Sequence, residues 1–535
     1  MNIFKSIVAV PIVILLLLSS CSKDSRGYGE NPYEGGKEQL GIAFQNLNRP
    51  VLEARPNDIV KVNVRGLKGD NVSMGDLKAY VNNELTEIVA VTDSTLEFRL
   101  PSKVSSGPVK LMVKDQLFFG PRIPIEGKVN LDKDYGVSVG FNGPVSQILP
   151  VNNNFWVVGL FNNFENESTN SIFRNSIHLI NSNGKSQSHA VGKGPSLGIV
   201  KSISRLSDGK FYIGGIIDHF QTGFKDYEIF GVSRILSNGI LDTLTGVEIA
   251  NSDLSNLSKS FDTVPAFNAE LYGGVLKVFT GSDNSLYAIG SLSMHSYINY
   301  NYSSKDTRMR LYSNVKSIAK IRPDGRLDSS FNYNNAGVNG YINDAVQLKD
   351  GTIVAVGAFT SYNGVQANRI IALDKNGKVS TTFNTGVGAD DEIFAITYNA
   401  DRNKIAIAGR FKTFNNSNKY GVVILNADGS VDQSFTLRDT EQKTPNYAYY
   451  TKNNKVLVTG DFKRYDGVNR SQLLLLEQNG EALQEYNNIG SFSGIIYSVV
   501  ETQSSKGNPA LLIGGFISTA DDAKVGNIFR LEIKN

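Results

Sequence analysis

The chain has 535 residues, 41% hydrophobic and 20% charged, with 51 glycines, 23 tyrosines, 28 phenylalanines and a net charge of +3. That length allows two or more domains, and the glycine and aromatic content predicts many strands joined by many turns. The near-neutral balance argues against a nucleic-acid partner. A single cysteine, Cys21, excludes an intrachain disulfide framework or a cysteine zinc site, and the scattered His178, His189, His219 and His295 show no metal-ligand spacing. No cofactor and no metal are expected.

The chain opens "MNIFKSIVAVPIVILLLLSSCSKDS". Lys5, an apolar run over 7–18 and the small residues that follow have the order of a secretory signal. The run is too short to favour a spanning helix. It ends in Leu18-Ser19-Ser20-Cys21, which resembles the lipobox of bacterial lipoproteins. The resemblance implies that residues 1–21 are a signal peptide and that Cys21 carries the lipid. Ser22 stands where an aspartate often retains lipoproteins at the inner membrane. "SKDS" is similar to the export signals of surface lipoproteins in gut anaerobes. Together these imply an outer-membrane lipoprotein facing outward, held by its lipid anchor. Residues 22–38, polar and glycine-rich, read as a tether.

Residues 39–126 alternate apolar and polar positions in short runs: Val60, Val62 and Val64, then Leu96, Phe98 and Leu100, then Val109, Leu111 and Val113. Period-two runs separated by turns predict a small β-sandwich. "ARPNDIVKVNVRGL" and "DSTLEFRLPSKVSSGPVKLMV" resemble an IPT/TIG domain, an immunoglobulin-like module, which implies a spacer here.

From residue 127 to the C-terminus one phrase recurs. A glycine ends an apolar run at Gly159, Gly215, Gly290, Gly357, Gly409, Gly460 and Gly514, and two places later stand Phe161, Ile217, Leu292, Phe359, Phe411, Phe462 and Phe516. Six copies carry a further turn, at Asn183-Gly184, Asn238-Gly239, Asp324-Gly325, Asn376-Gly377, Asp428-Gly429 and Asn479-Gly480, read as two-residue hairpins. Four short strands in a unit of about fifty residues predict a propeller blade. "KDGTIVAVGAFTSYNGVQANRIIALDKNGKVSTTF" resembles the delta-60 repeat (DUF5122-type) β-propeller family, which implies no enzyme activity. The seventh copy stops after its third strand. "NLDKDYGVSVGF", 130–141, precedes the first copy and supplies the missing piece. The predicted fold is therefore all-β: an immunoglobulin-like sandwich, then a seven-bladed propeller over 127–535, closed by an N-terminal strand.

The copies differ on one face. Loops joining strands one and two, or three and four, are short. Loops joining strands two and three, or successive blades, are long over blades one to three. Insertions on a rigid scaffold are where binding concentrates. The blade-three insertion holds Tyr297, Tyr300, Tyr302 and Tyr312 with Arg308 and Arg310, and the loop before it holds Phe261, Phe267 and Tyr272. Aromatic faces of this kind stack on sugar rings, or they pack the loops against each other. Trp156 reads as blade packing. No nucleophile motif and no pairable carboxylates point to an enzyme. The layout resembles surface glycan-binding lipoproteins of Sus-like uptake systems. That implies capture of a polysaccharide or oligosaccharide beside an outer-membrane transporter complex. A protein–protein scaffold or adhesion module, and a carbohydrate-active enzyme, are the alternatives.

Overall fold

The computed structural model describes residues 40–45, 47, 53–68, 73–167, 175–187, 194–223, 225–251, 258–331, 336–384 and 386–534; the signal, the tether and Cys21 lie outside the described residues. The first unit is a sandwich of two four-stranded sheets. One is ordered Ala43–Phe44, Ile59–Arg65, Thr95–Arg99, Glu87–Val91, the other Glu84–Leu85, Leu77–Val81, Gly107–Val113, Gln116–Ile123. Alternate residues of a strand point to opposite faces, so Val60, Val62, Val64, Leu96, Phe98, Val109, Leu111 and Val113 all meet in one core.

Seven sheets follow. Their first strands are Val145–Val151, Gly194–Arg205, Glu270–Thr280, Tyr341–Gln347, Ile393–Asn399, Pro445–Tyr450 and Ser493–Gln503. Each pairs antiparallel with a second strand that pairs in turn with a third. Apolar clusters lie between successive sheets; one joins Val354, Val356 and Ile370 to Ile393, Ile405 and Ile407. The last sheet is completed from the segment that precedes blade one. Val129–Leu131 pairs antiparallel with Ile528–Ile533, Leu131 opposite Leu531 and Val129 opposite Ile533. The chain is thus all-β, with its propeller closed by an N-terminal strand. That strand is shorter than 130–141. Residues beyond it cross to blade one, where Phe141 bridges Phe164 while its amide donates to the Gly526 carbonyl.

Three details differ from the sequence expectation. In blades one to five the fourth strand shrinks to single bridges, Ile180 with Ser186, Ile235 with Leu241, Ile321 with Leu327, Leu373 with Val379 and Leu425 with Val431. The Asn/Asp-Gly turns are three-residue loops. In blade five the Gly429 amide donates to the Asn426 carbonyl and the Asn426 amide to the Ser430 carbonyl, and only the glycine has positive φ. Asp428 is there because its carboxylate accepts the Ser430 amide at 3.0 Å. In blade seven the structural equivalent of the other repeat glycines is Gly515, not Gly514. It lies opposite Ile496, and the buried residue two places on is Ile517. Phe516, which completes the apparent phrase "GGF", is 59% exposed. Two adjacent glycines conceal the one-residue offset in the sequence.

The sandwich is docked on the propeller rather than strung beside it. Arg122 reaches Asp521 and Asp522, each at 2.6 Å, and Ser106 donates its amide at 2.8 Å to the Asn488 carbonyl. Arg470 is buried between the units, one guanidinium nitrogen donating to Ser105, Gln484 and the Asn487 carbonyl. Burial lowers its pKa to about 10, so it stays charged at neutral pH. The propeller residues in these contacts lie in loops between second and third strands or between blades six and seven. The sandwich therefore sits on the long-loop face, over the two blades farthest along the chain from the insertions.

Candidate functional site

The repeated glycine explains the site. In every blade the register between first and second strands slips by one residue opposite that glycine. The paired residues are Val145 with Gly159, Val200 with Gly215, Val275 with Gly290, Ile342 with Gly357, Ile393 with Gly409, Pro445 with Gly460 and Ile496 with Gly515. A slip of this kind is a β-bulge, which leaves one residue of the first strand unpaired and re-aims its side chain. The bulged strand presses a carbonyl against the glycine. A Cβ there would lie closer than real contacts allow to the carbonyl of residue 144, 199, 274, 341, 392, 444 or 495 in the respective blades.

The seven unpaired residues are Ser146, Lys201, Leu276, Asn343, Phe394, Asn446 and Tyr497, one per blade. All seven line a single central cavity of about 450 Å³. It lies where first strands begin and second strands end, so it opens on the face that carries the insertions and the sandwich. Its volume falls in the range of about 300–1,000 Å³ typical of small-molecule clefts. Its walls are uneven. Phe394, Asn446 and Tyr497, from blades five to seven, put two aromatic rings and an amide side by side. Ser146, Lys201 and Leu276, from blades one to three, line the rest of the wall with Asn343, Ser146 adjoining Tyr497 where blade one meets blade seven.

Below the ring the next residue of five of the first strands, Gln147, Ser202, Lys277, Asp344 and Ser498, fastens neighbouring blades. Gln147 accepts the Ile203 amide at 3.0 Å and donates to its carbonyl at 3.1 Å, and the Ser498 hydroxyl accepts the Ile148 amide at 3.0 Å. Lys277 pairs with Asp344 at 3.0 Å, and Asp344 also accepts the Ile396 amide at 3.1 Å. Tyr447 completes this layer, its phenol pushed well above the ordinary value by burial. Glu392, at the mouth, accepts from Asn343 at 2.9 Å, from the Tyr341 hydroxyl at 3.1 Å and from Arg410 at 3.3 Å. Both acids in the lining, Asp344 and Glu392, are therefore already engaged. Lys201 is half-buried and carries no ion pair among the described residues. Ile495 of blade seven, in the lining, is exposed, as are Leu160, Ile216 and Phe516, which follow the bulge glycines of blades one, two and seven.

The insertion residues form a separate crest. The long hairpin of blade three pairs Leu286–Ile298 with Arg310–Asn314, and beside it stands the hairpin of Thr243–Ile249 with Ser260–Pro265. Arg308 pairs with Asp262 at 2.5 Å and lies over Tyr300, whose phenol burial pushes up. Arg310 pairs with Glu270 at 2.8 Å and Glu228 at 2.7 Å and lies over Phe230, which stacks on Tyr272 at 5.1 Å. Arg326 lies over Tyr297. Phe267 is buried against Tyr212. These side chains hold the crest together. Tyr302, 76% exposed, with Phe261 and Tyr312, faces outward.

The ring had a sequence signal that the glycine pattern alone does not use. Each first strand reads apolar, two residues, apolar: "VSQI", "VKSI", "VLKV", "INDA", "IFAI", "PNYA" and "IYSV". A spacing of three inside a strand breaks the period of two, and the break marks the bulge.

Residues 17–121 match a domain of unknown function, DUF5008, and residues 348–383, 403–435 and 451–482, in blades four to six, match the DUF5122 β-propeller, also a domain of unknown function. No curated protein matches the chain. Among solved structures it is similar to an auxiliary nutrient binding protein from Bacteroides thetaiotaomicron VPI-5482, at 10% identity over 92% of this chain and 98% of that one, with a TM-score of 0.30. It is also similar to the WD40 β-propeller domain of Doa1, at 12% identity over 75% and 96%, TM-score 0.38. YCF48 bound to D1 peptide gives 10% identity over 76% and 97%, TM-score 0.39.

Proposed function

We propose that this protein is a non-catalytic capture lipoprotein of the outer membrane, displayed outward, that holds a glycan on the insertion-bearing face of its propeller for a Sus-like uptake system. One observation carries the reading: the central cavity that gathers one bulged residue from each of seven blades. Two aromatic rings flanking an amide suit a sugar ring, whose axial C–H faces stack on aromatics while its hydroxyls meet hydrogen-bonding groups. Asn446 accepts the Thr459 hydroxyl at 2.7 Å and keeps its amide donors, whereas Asn343 donates to Glu392 and the Ile393 carbonyl and keeps its oxygen. The cavity thus offers both kinds of partner to hydroxyls. That Asp344 and Glu392 are both tied up supports capture rather than hydrolysis, which needs a free acid–base pair. Cys21 is the anchor in this reading, and the sandwich supports the face rather than the ligand.

The test combines binding and turnover. Purified protein is screened against an immobilised glycan library, and each retained glycan is incubated with it and examined for cleavage. Retention without cleavage is expected. Cleavage products would make it an enzyme, and retention of proteins but no glycan would favour the scaffold alternative. For the anchor, Cys21→Ala is expected to abolish fatty-acid labelling and release the protein from membranes.

A further inference from the structure

Building on that capture reading, we infer that the central cavity takes an acidic sugar unit, stacked on the aromatic side of the ring with its negative group on Lys201. The charges in the cavity lead there. Lys277 is matched by Asp344, and Glu392 shares Arg410 with Asp391 and is held further by Asn343 and the Tyr341 hydroxyl. Lys201 alone points a cation into the lining with no counter-charge among the described residues. Its place is fixed, because the bulge opposite Gly215 turns it out of the strand ladder and inward. A half-buried ammonium is a strong donor to an anion, and charge-assisted hydrogen bonds are roughly twice as strong as neutral ones. Phe394 of blade five stands across the ring from Lys201 of blade two, and Tyr497 of blade seven lies two blades from it, so a sugar stacked on Phe394 directs its far substituent toward blade two. A uronic carboxylate and a sulfate ester share the required chemistry.

The experiment uses the full chain in detergent and calorimetric titration with matched oligosaccharides of gluco, galacto and manno configuration. Each is offered with a neutral, uronic or sulfated end unit. At least one acidic member is expected to bind about tenfold or more tighter than its neutral partner, with affinity falling as salt rises. The uronic and sulfated arms show which anion fits. Lys201→Met is expected to bring the acidic member to the affinity of the neutral one, and Lys201→Arg to keep the preference. Melting curves verify that both variants fold. Phe394→Ala is expected to weaken acidic and neutral members alike. Equal binding of acidic and neutral members, or an acid preference that survives Lys201→Met, overturns this inference and leaves glycan capture standing. Binding of no glycan at all overturns both.

Discussion

The Asp132 carboxylate lies 2.8 Å from the Arg530 guanidinium, and the two side chains are 4% and 1% exposed. They stand at opposite ends of the propeller segment, one just past the closing strand and the other in the strand it pairs with. Arg530 also donates to the Ser182 carbonyl in blade one at 2.6 Å and to Ser505 at 2.8 Å, and lies over the Tyr135 ring. One buried cation therefore joins the closing strand, blade seven and blade one. Removing one partner of such a pair strands the other charge, at about 3–5 kcal/mol. Asp132→Ala is expected to lower the unfolding midpoint accordingly. A chain beginning at Gly143 lacks the strand altogether and is expected to melt well below one beginning at Ile125; equal melting would contradict closure by this strand.

The same pair sets an acid limit. Burial raises the Asp132 pKa, but the Ser505 amide, the Arg530 charge and the Asp134 amide outweigh it and hold the carboxyl below its ordinary value. A carboxyl depressed in the folded state stabilises above its unfolded pKa, and that contribution is lost as pH falls through the folded pKa. Asp132→Asn is therefore expected to flatten the acid side of the stability–pH curve as well as to lower its plateau. Urea titrations across the acid range read both effects.

The closing strand was legible because a repeat announces its own missing part: the seventh copy lacks a strand that precedes the first. Burial of Val60, Leu96 and Val109 was legible for the same kind of reason, since a period of two fixes which face is wet. What pairs across the fold was not. Nothing near Arg530 in the sequence names Asp132, and nothing near Arg470 names Ser105. The crest shows the limit for the site. Tyrosines and arginines in one insertion have the same composition whether they bind a ligand or each other. Only the folded hairpins bring Arg310 against Glu270 and Glu228. The ring residues share no common chemistry, running from serine, lysine and leucine to asparagine and aromatics, so only the broken spacing of their strands marks them.

The bulge glycines give a sharp comparison. At Gly409 a Cβ would press on the Glu392 carbonyl and would lie 2.8 Å from the Ile393 Cα, so Gly409→Ala has to push backbone aside. Overpacking of this kind costs about 1–3 kcal/mol. At Gly274, on the bulged strand of blade three, nothing lies within 4 Å of the new carbon. Gly274→Ala is expected to leave the urea midpoint nearly unchanged while Gly409→Ala lowers it. Equal effects would mean the glycines do not mark the bulge.

At the opposite end of the central axis, Glu501 accepts the Lys452 amide at 2.9 Å, the Asn399 amide group at 3.0 Å and the Tyr449 hydroxyl at 3.1 Å, all on one oxygen. Desolvation outweighs these donors and raises its pKa. An acid raised on folding favours its protonated form, so stability falls as pH rises from the unfolded pKa through the folded one. A glutamine keeps the accepting oxygen and has no charge to desolvate. Glu501→Gln is expected to melt at or above the parent at neutral pH and to lose that pH dependence; a large drop in melting would show that the charge itself holds blades five to seven.

The crest and the cavity are separable by single substitutions. Tyr300 lies under Arg308, and Arg308 is tied to Asp262, so Tyr300→Ala removes packing from three segments and is expected to lower the melting temperature. Tyr302 is largely exposed, and Tyr302→Ala is expected to leave melting unchanged. If the cavity holds the sugar alone, Tyr302→Ala also leaves glycan affinity unchanged while Phe394→Ala weakens it. A stacked ring contributes about 0.5–1.5 kcal/mol, so one lost contact is a change of at most roughly tenfold. Should Tyr302→Ala weaken binding by that amount without loss of fold, the ligand extends from the cavity onto the crest, and Phe261 and Tyr312 become the next contacts to remove.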